Sequence, residues 1–117
     1  LVLPYMISKD RRNAMDEQQS LLHDKNRLSI IAFLASHAQE ECTFTAIQKK
    51  LGLTAGNLSS HLTLLEKHNL VCISKSFKQK KPQTLLTITV EGRASFESFI
   101  SMMENLIDEY RKNHSTI

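Results

Sequence analysis

The 117-residue chain is short of the residues that staple or punctuate a fold: two cysteines, two prolines, three glycines and no tryptophan. Cys42 and Cys72 stand far apart and form no Cys-x-x-Cys, which removes a disulfide framework and a cysteine-rich zinc site; both read as buried, reduced side chains. No apolar run approaches the roughly 18 residues that a membrane span requires. Leu1 to Ile7 is too short and wrongly flanked for a secretory signal, so the expected location is cytoplasmic, with no membrane partner. An assembled nucleophile, base and cleft are also missing, and the five histidines show no zinc-like spacing with the cysteines. The expectation is a protein that is not an enzyme and holds neither metal nor cofactor.

What is present suits one domain with a single core and helical extensions; the hydrophobic share of 41% is that of a soluble globular chain. The net charge of +3 is modest, yet it is segregated. Lys67, Lys75, Lys78, Lys80 and Lys81 occupy the middle, whereas Glu97, Glu104, Asp108 and Glu109 crowd the end. One region therefore suits a polyanion and another does not.

The stretch from Phe44 to Leu70 organises the rest. A short helix-periodic segment, Phe44 to Leu51, stops at Gly52, and after the Gly-Leu-Thr corner a second begins with Thr54 as its N-cap. Two helices meeting at a short glycine-containing turn predict a helix-turn-helix. In the second helix Leu58, Leu62 and Leu65 share one face. Gly56, Ser60, Thr63 and Lys67 share the other, flanked by Asn57 and Ser59. A solvated helix more usually carries Glu and Lys outward; small hydrogen-bonding side chains let a helix sit deep in a DNA major groove. His61 lies beside the core stripe, where it either bonds locally within the fold or reaches DNA.

Upstream, Ser8 to Asn13 is charged and loose, and Ala14 to Leu22 is expected to form a short helix. Asp24 caps a first core helix with Leu28, Ile31, Leu34 and Ala35 in helical spacing, ending near His37 or Ala38; Gln39 to Thr43 then connects it to the motif. Downstream the period changes to two. Val71, Ile73 and Phe77 alternate with polar neighbours, and Thr84 to Val90 alternates again, which predicts an antiparallel hairpin with Lys78 to Gln83 as its tip. A lysine-rich tip is commonly just a solvated loop; directly after a polar-faced helix, this one is expected to be a wing placed to neutralise phosphates. Thr89 is expected to cap the last helix. There Phe96, Phe99, Ile100, Met103, Leu106, Ile107 and Tyr110 follow about two heptads, fewer than a coiled coil needs but more apolar surface than one domain covers. A partner helix from a second copy is the expected cover. The predicted organisation is an N-terminal extension over 1–22, a DNA-binding domain over 23–92 and a dimerisation helix over 93–117, in a mainly α fold with a small β-hairpin.

Leu53 to Leu62 (Leu-Thr-Ala-Gly-Asn-Leu-Ser-Ser-His-Leu) and Leu64 to Val71 (Leu-Leu-Glu-Lys-His-Asn-Leu-Val) resemble the winged helix transcriptional regulators of the MarR and ArsR groups. Arg27-Leu28-Ser29-Ile30, Lys81-Pro82-Gln83-Thr84 and Ile88-Thr89-Val90-Glu91-Gly92-Arg93 extend the likeness over His23 to Ile100. The resemblance implies a homodimeric regulator of double-stranded DNA. Asn57, Ser59, Ser60 and His61, with Thr54, Gly56, Thr63 and Lys67, would belong to the reading helix; Lys78, Lys80, Lys81 and Thr84 would belong to the wing. Asn69 stands where the family usually has glycine, and asparagine tolerates the left-handed turn required there. Lysines replace the wing's usual arginines, which favours diffuse phosphate contact over bidentate recognition.

ArsR relatives often sense metals, but Glu104, Asp108 and His114 do not supply the paired Asp-x-His and His-x-x-Glu pattern. A small-molecule effector, as some MarR-like proteins take, would occupy the dimer interface, and no residue pattern names it. The alternative is a winged helix used as a protein-interaction module without DNA, and salt separates the two, since only phosphate contacts weaken steeply with ionic strength.

Overall fold

Local capping chemistry sets most of the element boundaries in this computed structural model, which describes residues 17–38 and 40–114. Of the short helix expected from Ala14, residues 17–21 are seen as helix; Ser8 to Asn13 lies outside the described residues. Helix α1 spans Lys25–Ser36, and its start is fixed by Asp24, whose carboxylate accepts the Arg27 N–H at 3.0 Å. Helix α2 (Phe44–Leu51) is capped by Thr43 Oγ1 on the Ala46 N–H at 3.1 Å and closed by Gly52, left-handed at φ 66°. Helix α3 (Ala55–Lys67) follows at once, with Thr54 Oγ1 accepting the Asn57 N–H at 3.1 Å. Asn69 leaves it at φ 62°, and the Leu70 N–H returns to Leu65 O at 2.9 Å, so the turn that glycine commonly makes is made by asparagine.

Strand β1 is the pair Cys42–Thr43, β2 is Val71–Lys78 and β3 is Lys81–Ile88, all antiparallel in the order β1-β3-β2. The sheet departs from expectation in three ways. Cys42–Thr43, expected as connection, pairs with Leu86 and Leu85; two residues are too few for alternation to show. The wing tip is the two residues Gln79 and Lys80 at φ 52° and 68°, not Lys78 to Gln83, because Lys78 pairs with Lys81 and Pro82 sits in β3 opposite Phe77. Proline is tolerated there because β1 reaches only Leu85 and Leu86, leaving one side of β3 free. Finally, Cys42 is buried as expected but Cys72 is exposed. Burial pushes the Cys42 thiol above its ordinary range.

Helix α4 runs from Val90 to His114. Thr89 Oγ1 accepts the Gly92 N–H at 2.8 Å and lies 2.6 Å from Asn69 O, tying the start of α4 to the end of α3. The approach is so close that a Cβ on Gly92 would overlap Leu70 O and come within 2.9 Å of Ile88 Cγ1. The core gathers Ile30, Ile31 and Leu34 of α1, Ile47 of α2, Leu58, Leu62 and Leu65 of α3, Leu70 of the turn that follows, and Val71 and Leu86 of the sheet. It extends past residues 23–92 on both sides. Leu22 is fully buried, and the Gln19 side chain donates to Ser95 O at 2.9 Å, so the end of the first helical segment packs on α4.

Candidate nucleic-acid interface

Burial of Leu58, Leu62 and Leu65 fixes the rotation of α3, and so decides what its other face presents. At roughly 1.5 to 3 kcal/mol for each fully buried leucine, this anchoring is strong enough to hold the outer side chains in register. Gly56, Asn57, Ser59, Ser60, Thr63 and Lys67 are all exposed, as is Thr54 at the cap. The Thr63 hydroxyl donates back to Ser59 O at 2.9 Å, which leaves its lone pairs outward. Gly56 has open space where a Cβ would sit. Gly56 is the second residue of α3, and nothing inside the fold requires a glycine there. A surface that must come very close to α3 would.

His61 is placed differently from its exposed neighbours. It is half-buried, with Nδ1 3.4 Å from Arg27 Nη1, and Arg27 in turn donates through Nε to Leu21 O at 2.9 Å. Its geometry is that of a contact between α3 and α1.

Lys78, Lys80 and Lys81 are exposed at the wing, and Thr84, half-buried, accepts from Lys75 Nζ at 3.3 Å. A crevice between α3 and the wing is lined by Phe44, Ser59, Thr63, Ile73, Lys75 and Thr84. Sequence reasoning noted the charge of Lys75 without assigning it to this crevice; the signal was its place in the period-two run that continues from Ile73. The tip itself is built against local preference. Two residues other than glycine hold left-handed φ, and Lys78 lies directly opposite Lys81, like charge against like.

The apolar stripe of α4 divides in two. Phe99, expected at a dimer seam, is 5% exposed and stacks edge-on against His23 with centroids 5.5 Å apart, and Phe96 packs on the same core. These two are covered by their own domain, because the end of the first helical segment reaches α4. Ile100, Met103, Leu106, Ile107 and Tyr110 remain exposed, joined by Met102, which sequence reasoning omitted. Among the described residues no three His, Cys, Asp or Glu side chains gather to hold a metal ion, and no helix is long and apolar enough to cross a membrane.

A family model described as the winged helix DNA-binding domain matches residues 26–107. The chain belongs to this family. The family is described by its DNA-binding domain, and this winged helix shares its fold with MarR-family and ArsR-like regulators among its structural neighbours. It is 38% identical over 74 residues to an uncharacterised protein of Methanocaldococcus jannaschii, covering 63% of this chain and 78% of that one. The transcriptional regulator homologue of Pyrococcus horikoshii OT3 is 33% identical, with a TM-score of 0.72 over 84% of this chain and 97% of that one. Staphylococcus aureus MepR, solved in complex with DNA, superposes with a TM-score of 0.68 over 98% of this winged helix chain and 93% of its own, at 20% identity that establishes the shared fold alone.

Proposed function

We propose that the protein is a transcriptional regulator that binds double-stranded DNA as a homodimer, with α3 in the major groove and the wing against the backbone beside it. The observation that carries this reading is the wing tip. Left-handed Gln79 and Lys80 and the facing lysines Lys78 and Lys81 are unfavourable for the fold by itself. A polyanion offsets the repulsion. Left-handed φ at both positions is what a two-residue hairpin turn requires, but Gln and Lys take it at a cost that Asn-Gly would avoid, and a residue choice unfavourable to the fold is characteristic of a working surface. The outward face of α3, at Ser59 and Thr63, lies across a crevice from Lys75 and Thr84 of the same hairpin.

In this arrangement Asn57, Ser59, Ser60 and Thr63 read base edges, while Lys67, Lys75, Lys78, Lys80, Lys81 and Thr84 hold phosphates. Ile100, Met103, Leu106, Ile107 and Tyr110 cover one another across a twofold axis. Such an axis sets two α3 helices about one DNA turn apart. MepR, which shares this fold, was solved in complex with DNA, and that is in keeping with DNA as the partner.

The test is the salt dependence of binding to duplex DNA by the parent protein and by a Lys80→Ala/Lys81→Ala variant. The variant should weaken binding to all sequences alike and flatten the slope of log affinity against log salt by about 2. Ser60→Ala or Asn57→Ala should instead relax sequence preference. Unchanged affinity and slope in the lysine variant would remove the wing from the interface.

A further inference from the structure

One face of the hairpin carries a gradient that the charged residues do not explain. Register places Val71, Ile73, Lys75 and Phe77 of β2 on the same side as Ile88, Leu86, Thr84 and Pro82 of β3, each opposite its partner. At the base this face is core: Val71 and Leu86 are buried. At the Lys75–Thr84 pair it clears α3 and lines the crevice. Beyond the crevice the next pair would ordinarily be polar. It is Phe77 against Pro82, and Phe77 is 75% exposed. So exposed a phenyl ring contributes little to the core; the neighbouring pair Lys78–Lys81 lies on the other face of the hairpin, with Lys80 in the turn between its strands.

The crevice dictates what the pair would face. With α3 in the major groove, the strand of sugar and phosphate bounding that groove fits between α3 and the wing, against Lys75 and Thr84. Across that strand lies the adjoining minor groove, and the part of the wing beyond the crevice overlies it. Minor-groove proteins use apolar side chains, phenylalanine and proline among them, as wedges at base steps, with cations holding the flanking phosphates. Flexible pyrimidine–purine steps open most readily.

We propose that Phe77, backed by Pro82, is an apolar minor-groove wedge that selects a deformable step flanking each half-site. The inference rests on the DNA-binding reading above and adds a specificity determinant outside α3. Phe77 contacts no base edge by hydrogen bond; it reads how easily the step unstacks.

The experiment uses the full chain and duplexes bearing the half-sites that the parent protein selects, with the flanking step set to TA or to GC and 2-aminopurine at the TA adenine. The parent should prefer the TA flank by roughly tenfold and raise the 2-aminopurine fluorescence. Phe77→Thr, which keeps strand propensity, should lose that preference and the fluorescence change while keeping half-site selectivity and the salt slope. Phe77→Leu should restore most of both. Thermal melts of the variants separate folding from recognition, since a hairpin-stabilising role moves the melt and leaves flank preference intact. Parent-like flank preference and fluorescence in Phe77→Thr overturn the wedge and leave the regulator reading standing. A parent protein that selects no duplex at any salt overturns both.

Discussion

Replacing Gln79–Lys80 with Asn-Gly should make the protein more stable and a poorer DNA binder at once. Both residues hold left-handed φ, 52° and 68°, in a two-residue turn between Lys78 and Lys81. An L-residue in that region costs about 1 to 2 kcal/mol; Asn and Gly relieve most of this, less the roughly 0.5 to 1 kcal/mol that glycine's freedom returns to the unfolded chain. Removing Lys80 also thins the charge at the tip. The expected net gain is about 1 to 2 kcal/mol in the hairpin, which makes its opening roughly 5 to 30 times rarer. The assay is native-state hydrogen exchange of the amides of β2 and β3 near the turn, because a frayed tip opens without global unfolding. DNA binding should weaken in parallel, its salt slope falling by about 0.9 because one phosphate is no longer neutralised. Exchange that is unchanged or faster would refute the strain argument. Slower exchange with unaltered DNA affinity and slope would show that the tip does not touch DNA.

Gly92→Ala drives a Cβ into Leu70 O, the acceptor of the Thr89 N–H at 3.2 Å, so it should destabilise by about 2 to 4 kcal/mol and lower Tm by roughly 6 to 16 °C. An unchanged melt would mean that α4 does not start against Leu70. The Arg27 N–H on Asp24 holds that carboxyl below its usual range, so its contribution is full above the unfolded-state pKa and is lost as pH falls through the lower folded-state value. Asp24→Asn keeps a cap without a titrating group; compared with it, the parent should lose stability selectively below pH about 4, and parallel curves would exclude this linkage. Met103→Glu or Ile107→Glu, both on the exposed stripe of α4, should give monomers in sedimentation and weaken DNA binding together. A mass still dimeric would place the seam elsewhere.

The helix-turn-helix was legible because each boundary carries its own chemistry. Thr43 and Thr54 cap, Gly52 turns left-handed, and the leucine spacing of α3 separates buried from exposed side chains without tertiary information. The departures share a different cause. The wing turn lacks the Asn-Gly or Asp-Gly that marks a two-residue hairpin, so nothing in the sequence singles out Gln79–Lys80 within the polar stretch Lys78 to Gln83. β1 is too short to show a period and exists only because β3 offers it an edge. Phe99 fits a heptad as well as Met103 does; only the placement of His23 and Leu22 beside α4 shows that its own domain covers it. Cys72 alternates with Val71 and Ile73 and so falls with Ser74 on the uncovered face of β2; the period-two pattern implied this, and only the general tendency of cysteine to be buried argued otherwise.

The first measurement is selection from randomised duplex DNA at near-physiological salt, with the mass of the retained complex. A regulator that reads DNA with two copies of α3 should enrich a palindrome whose half-sites lie about one turn apart, and the complex should contain two chains. No enrichment by a folded protein, or a single chain on an asymmetric site, would contradict the account.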